Sequence, residues 1–544
     1  VVDIYRTMSR RLLLLAIPLA LLLLLTVVLD RLVVGAARVL AERMDIEGHR
    51  VAFDHIRVSP WRGELTMEGL HIAPTEALVA ADSTALFHIR AGSIELRGVD
   101  IWRLLRCKVL HATALRMHEP VVEHSFNTKA VRPVLADTTV AEAIPSTGLS
   151  LLRIDTLAVI GARASSMDRA TARPAMDMER LDMFMRNAAI VPQAKGPMAF
   201  RREETHLRIA GLRSAVEPFY TLSIDSIQLR STDTKAMVYG AAFVPTVDAS
   251  TYHRAVDEQV ELYRMRADSV VLIGFDLVAQ VNAGMLRTRA LHLHGFAADI
   301  HRDKSIPEGP FRHLPLPSEA LQGVPIPLAI DSVVAHRSTV RYHERLERGA
   351  PYGSVSFTAI EGLLTGLNNL RPGDGHVLHL KGNARFADRG RLTLDMRLPM
   401  TANAHSLQVE ATVKGLPFDM LNRMTDKLAH VKANSGTIHQ VVMRMTGDDR
   451  RGSGSVDIHY EDLHVEIAHE LDRTRLLTLA ANTVVKKRNM PDDRRYRVGR
   501  FSVERSRNKG VFNFIWLGLR EGMMDVMLPP AVMERVQKKR DRKA

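Results

Sequence analysis

The chain of 544 residues is 46% hydrophobic and 25% charged, with one cysteine, Cys107, and a formal net charge of +13. That balance belongs to a folded protein; it excludes a disordered or collagen-like chain, an intrachain disulfide framework and a cysteine-rich zinc or iron–sulfur centre. Aromatic residues at 5% leave little for an aromatic-lined sugar or nucleobase platform, and the positive charge favours nucleic acid or acidic lipid headgroups as partners.

The first element decides between those two. Residues 12–29 form an apolar run broken only by Pro18 and Thr26, with Arg10 and Arg11 before it and Asp30 and Arg31 after it. At ~1.5 Å per residue the run spans ~27 Å, close to the hydrocarbon thickness of a bilayer. It is longer than the core of a cleavable signal peptide, and Asp30 and Arg31 separate it from Gly35-Ala36-Ala37, where cleavage would fall. The expectation is an uncleaved single-pass anchor within residues 1–43, carried by Leu12, Leu15, Leu22, Leu25 and Leu29. Arg6, Arg10 and Arg11 balance Arg31, Arg38 and Arg43, so orientation rests on the short stub and the long body, which favour export of the body. A tethered, exported body leaves lipid rather than nucleic acid as the partner.

The body repeats one strand pattern. Residues 65–72 place Leu65, Met67, Leu70 and Ile72 around Gly69, and residues 94–101 place Ile94, Leu96, Val99 and Ile101 around Gly98. Residues 222–229 place Leu222, Ile224, Ile227 and Leu229 around Ser226, and residues 458–465 place Ile458, Tyr460, Leu463 and Val465 around Asp462. Looser copies begin at Leu152, Met176, Met265, Leu291, Leu328 and Val355. Alternation at period two puts one set of side chains on one face; the three-residue step would flip the second half unless a β-bulge absorbs a residue. The predicted fold class is mainly β: an elongated, twisted repeating β-groove, a taco-like sheet of bulged strands, with ordinary sandwich strands as the alternative.

Helical patterns are few. Residues 33–44 continue the anchor; 418–431 present Met420, Leu421, Met424 and Leu428 on one face; 511–538 give another helix, broken at Pro529-Pro530. Long connections fall at 123–148 and 302–327, and the prolines of the latter mark the best internal boundary. The chain then divides into an anchor (1–43), β-groove repeats (44–301), a Pro-rich connection (302–327), a second β region (328–510) and an apolar capping segment with a basic tail (511–544).

No catalytic motif accompanies these elements: there is no nucleophile elbow, P-loop, dinucleotide fingerprint or zincin helix. The zincin-like string from His118 to His124 has Val122 where a second histidine is needed, and Pro120 breaks the helix. His292 and His294 share a strand face within reach of His301, a pattern read as solvated and not as a metal site. Asp155, Asp225, Asp268 and Asp331 recur in similar contexts and are read as strand edges or turns. Cys107 is read as a buried, inert thiol. The expectation is no enzyme, no metal and no cofactor.

Too few helices exist to cover so many half-apolar strands, so the apolar side needs a second sheet or a guest. At ~0.8 kcal/mol per buried methylene, a sixteen-carbon acyl chain gains on the order of 10 kcal/mol in such a trough. The sixteen apolar residues of the four pattern copies are therefore the candidate lipid-groove residues.

The anchor and the repeated strands, with Leu416-Pro417-Phe418 leading into a helix, Asn434-Ser435-Gly436-Thr437-Ile438, Gly454-Ser455-Val456, 458–463 and Phe512-Asn513-Phe514-Ile515-Trp516, resemble the AsmA-like family of Gram-negative envelope proteins. The resemblance is closest over 330–525. It implies an inner-membrane anchor, a periplasmic repeating β-groove, phospholipids as partners and a role in lipid transport or outer-membrane homeostasis. The alternative is a non-transporting assembly factor that assists outer-membrane proteins through its sheet edges.

Overall fold

The computed structural model describes residues 44–46, 49–59, 62–80, 86–127, 150–191, 200–201, 203–216, 218–370, 376–400, 405–428, 431–467 and 485–529. The expected anchor at 12–29, its continuation to residue 43 and the basic tail lie outside them. Among the described residues no helix is long and apolar enough to cross a membrane. Met44, expected to end the anchor helix, begins a strand.

The chain is mainly β, with parallel and antiparallel pairing in the same sheet. In chain order the strands are β1 (Met44–Ile46), β2 (His49–Ala52), β3 (His55–Ser59), β4 (Glu64–Pro74), β5 (Leu86–Arg97), β6 (Val109–His118), β7 (Val121–Phe126), β8 (Leu151–Asp168), β9 (Arg173–Ile190), β10 (Phe200–Arg201), β11 (Glu204–Val216) and β12 (Tyr220–Arg230). There follow β13 (Lys235–Pro245), β14 (Leu262–Ile273), β15 (Leu286–His294), β16 (Ala297–Asp303), β17 (Leu328–Arg345), β18 (Gly353–Asn368), β19 (His376–Phe386), β20 (Gly390–Met400), β21 (Ser406–Pro417), β22 (Val431–Asp448), β23 (Arg451–Ile467) and β24 (Gly499–Glu504). The helices are α1 (Glu76–Ala80), α2 (Ile101–Cys107), α3 (Ala249–Ala255), α4 (Leu277–Ala283), α5 (Pro317–Gln322), α6 (Asn422–Leu428) and α7 (Val511–Met527). Two compact units result, residues 1–242 with 271–288 and residues 243–270 with 289–544. The proline-rich connection 302–327 lies inside the second.

In the first unit β5 runs antiparallel to β6 and β7, which form one line kinked at Glu119, and β8 runs parallel to both. Strands β9, β11 and β12 follow antiparallel. One face packs into a continuous core reaching from Val51 on β2 to Ile209 on β11. Leu110, Ala112, Leu115 and Leu157 are almost wholly buried in it, each leucine contributing about 1.5–3 kcal/mol of transfer free energy.

The kinks fall inside a strand, where the pattern places them, in two of the four copies, at Gly69 on β4 and Asp462 on β23; the copy at 94–101 is not one bulged strand, because β5 ends at Arg97 and Gly98 turns the chain toward α2. Gly69, Gly98 and Asp462 all have positive φ, while Ser226 does not; there the kink is taken by Gly211 on β11, with Asp225 on β12 beside Gly240. A Cβ added to Gly240 would lie 2.0 Å from Asp225 Oδ2, and Gly295 is approached in the same way by Asp268. These aspartates, expected at edges and turns, stand in mid-strand over a neighbouring strand's glycine. The side chain fills the space that the missing Cβ leaves.

The chain also contains a tandem duplication. Residues 86–126 match 262–302 without a gap, and 154–168 match 330–344 at the same offset, 176 residues (86 to 262). Gly98 and Asp100 answer to Gly274 and Asp276; Ile154 and Asp155 answer to Ile330 and Asp331. Asp100 and Asp276 both cap their helices, Oδ1 accepting from the N–H of Arg103 at 3.0 Å and of Ala279 at 2.9 Å. The N–H of Glu119 donates to the Ile160 carbonyl at 2.8 Å, as that of Gly295 donates to His336 at 3.0 Å. The Arg163 N–H donates to Pro120 at 2.8 Å, as Thr339 donates to Phe296 at 2.7 Å. Gly161 and Arg337 share positive φ, and each donates its N–H to a carboxylate on the next strand, Asp182 at 2.8 Å and Glu361 at 2.9 Å.

The second unit runs antiparallel from β17 to β24, with β16 joining β17 in parallel. Its apolar face is covered by the protein's own segments. Leu316 and Leu321 from the connection around α5, Phe418, and Val511, Phe514 and Val526 of α7 close the core over β19–β24. The patterned helix at 418 is a 3-10 turn, Phe418–Leu421, continued by α6. Arg505, with a fully buried side chain, pairs with Asp449 and donates to the Leu314 carbonyl, pinning the connection to the turn between β22 and β23.

His124 on β7 stacks on Phe87 and Phe126, with ring centroids 4.8 and 5.6 Å away. Burial, aided by Arg169, holds it down at about 4. A depressed histidine contributes stability that is complete above its unfolded value near 6.5 and is lost as pH falls through 4. Urea unfolding of the first unit is expected to lose up to about 3 kcal/mol across that window, and His124→Phe is expected to flatten the dependence. An unchanged slope in the variant would refute the assignment.

Candidate functional site

The candidate groove residues divide by what covers them. Met67, Leu70, Ile72, Ile94, Leu96 and Leu229 in the first unit, and Ile458, Tyr460 and Leu463 in the second, are buried by protein atoms. Leu65, Val99 and Ile227 pack against the first core and Val465 against the second. Ile101, expected in a strand, opens α2 because Asp100 caps the helix there. A guest chain reaches the buried positions only where the protein's own cover parts.

Leu222 and Ile224 on β12 differ. They face Ser214 and Leu212 of β11, and Leu212 is the last residue on that side to pack against the first core. Further along the same side Val216 and Tyr220 are buried again, while Leu222 and Ile224 between them are only partly buried and belong to neither core cluster. Leu65, Val99, Ile227 and Val465 are also only partly buried, and of these six candidates Leu222 and Ile224 are the two that pack in neither core cluster.

The opposite face of the second unit is polar. A trough of about 1000 Å³ crosses β17–β23, lined by Glu361, Lys381, Asp395, Arg397, Glu410 and Arg444 among others. Its charges neutralise one another: Arg444 meets Glu410 at 3.1 Å, while Lys381 and Arg397 meet Asp395 at 3.8 and 3.5 Å. His379 at 2.8 Å contributes most to holding the Asp395 carboxyl below the usual range. The charged side chains balance and offer no net charge to an ionic ligand, while Val334, Leu363, Leu394 and Val409 give the trough some apolar lining between them.

Histidines cluster on this sheet in a way the linear pattern does not announce. His292 and His294 of β15 are joined by His336 of β17, not by His301. His301 stacks on His343, with centroids 4.4 Å apart, and burial together with His343 lowers it to about 4. The zincin-like string is split by the Glu119 kink, which puts His118 and His124 on different strands. Cys107, expected to be buried, is exposed, because the stretch is not a strand but the last turn of α2, closed by Lys108 in the left-handed region.

No protein-family model matches the chain, and no curated protein matches it. The reading of its function therefore rests on its own residues.

Proposed function

We propose that this is a membrane-anchored envelope protein of AsmA-like type, held in the inner membrane by residues 12–29 with its body in the periplasm, that handles phospholipid along the apolar side of its bulged strands. It works without an active site or cofactor. The observation that carries the reading is the strip at Leu222 and Ile224, apolar, only partly buried and outside both core clusters. An acyl chain there replaces water against aliphatic surface at ~25 cal/mol per Å². On α7, Phe512 and Trp516 stand exposed one helical turn apart beside Arg520, a surface suited to an acidic membrane interface.

Native mass spectrometry of the gently extracted full chain tests the proposal. Bound phospholipid is expected in the wild type and is expected to fall severalfold in the double variant Leu222→Asp, Ile224→Asp. A wild-type chain that carries no phospholipid in any preparation overturns it. The sealed core of the second unit favours a rival reading, a non-transporting factor that assists outer-membrane proteins through strand edges. A photocrosslinker at Leu222 separates the two, lipid adducts supporting transport and protein adducts the rival.

A further inference from the structure

The duplication identifies which features the fold itself requires and which one copy has added. At the places of His292, His294 and His336, the first copy carries Arg116, His118 and Ile160. The backbone is bonded alike in both copies, so three histidines are not needed to build the parallel pair of strands. In the second copy they converge: one ring nitrogen from each lies within 4.8 Å of the others. His292 Nδ1 and His336 Nε2 are 3.1 Å apart. Imidazoles on a tetrahedral zinc at 2.0–2.1 Å hold their ligating nitrogens about 3.3 Å apart.

The outer arrangement fits as well. Glu361 Oε1 accepts the Arg337 N–H at 2.9 Å, the bond shared with the first copy, and its other oxygen lies 3.3 Å from His336 Nδ1. In the first copy the equivalent Asp182 spends its second oxygen on Arg180 at 2.7 Å. A carboxylate on the far ring nitrogen fixes the tautomer and turns Nε2 toward the cluster, as second-layer carboxylates do for metal-bound histidines.

We propose that His292, His294 and His336 bind a divalent d-block cation, with Zn²⁺ the preferred ion, Glu361 as the orienting carboxylate, and the fourth position left to water. Three neutral imidazoles suit this class of ion and not Ca²⁺ or Mg²⁺, which take oxygen ligands. The rings stack within 13° of parallel, so binding turns them about χ2 to bring the lone pairs together; their half-exposed position leaves room for that. The other converging set, His313, Glu319 and Asp449, is already neutralised by Arg505 and Arg507 on Asp449. The site is independent of lipid handling and stands or falls separately from it.

The test is equilibrium dialysis of the full chain, purified without a polyhistidine tag, against Zn²⁺, with Co²⁺ as a spectroscopic probe. About one ion per chain is expected, and Co²⁺ should give visible bands of a low-coordinate nitrogen site. His336→Ile installs the residue the first copy already carries, so the strand is expected to keep its circular dichroism while the ion is lost. Glu361→Gln should weaken binding 10–100-fold. His301→Ala, outside the cluster, should leave it unchanged. Failure of the wild type to retain Zn²⁺, undiminished binding by His336→Ile, or equal loss in His301→Ala would each overturn the proposal.

Discussion

Arg505→Ala is expected to destabilise the second unit by about 3–5 kcal/mol, the cost of removing one partner from a buried charge pair. The guanidinium has no exposed surface; it pairs with Asp449 and donates to the carbonyl of Leu314, nearly two hundred residues earlier in the chain. Loss of it leaves Asp449 to Arg507, at 2.7 Å and half in water, and frees the connection that carries Leu316 and Leu321 into the core. Arg507→Ala should cost under about 1 kcal/mol, as exposed pairs do. Urea unfolding followed by Trp516, with Trp61 and Trp102 replaced by phenylalanine, reads the second unit alone, since those two lie in the first. Equal effects of Arg505→Ala and Arg507→Ala would show that the buried guanidinium is not the pin.

Phe514→Ala is expected to cost a similar amount, about 3–5 kcal/mol, through lost burial and an unfilled cavity. The ring is 1% exposed and lies over Gly447 and Gly452, which face each other across β22 and β23. Two glycines cannot extend into the space that an alanine leaves, so collapse is limited and the cost sits high in the usual range. Helix α7 also approaches β24 so closely that a Cβ on Gly499 would stand 2.0 Å from the Gly522 carbonyl oxygen. The same urea assay should show a parallel fall for Phe514→Ala. A loss under about 1 kcal/mol would mean that α7 is not what seals this core.

Much of the β architecture was legible in the residues. Period-two alternation around Gly69 and Asp462 marked strands and their kinks, because left-handed backbone and strand faces are local demands that a few neighbouring residues express, whereas Gly98 ends its strand and leads to α2. The apolar stretch from Val511 was legible as a helix for the same reason. Cys107 was misread because alternation over a few residues does not distinguish a strand from a single helical turn, and only the Asp100 cap does. Ser226 was misread because the kink passed to Gly211 on the paired strand.

The amino-acid order by itself thus determined the strands and some of their bends, since each depends on spacing within one segment. Only the tertiary structure decided which apolar faces are fully covered and which, at Leu222 and Ile224, are only partly so, because cover comes from distant segments such as α7 and the connection around α5. It likewise brought His336 to His292 and His294 through the pairing of β15 with β17 across a long connection. No local periodicity encodes a contact between strands that far apart in the chain.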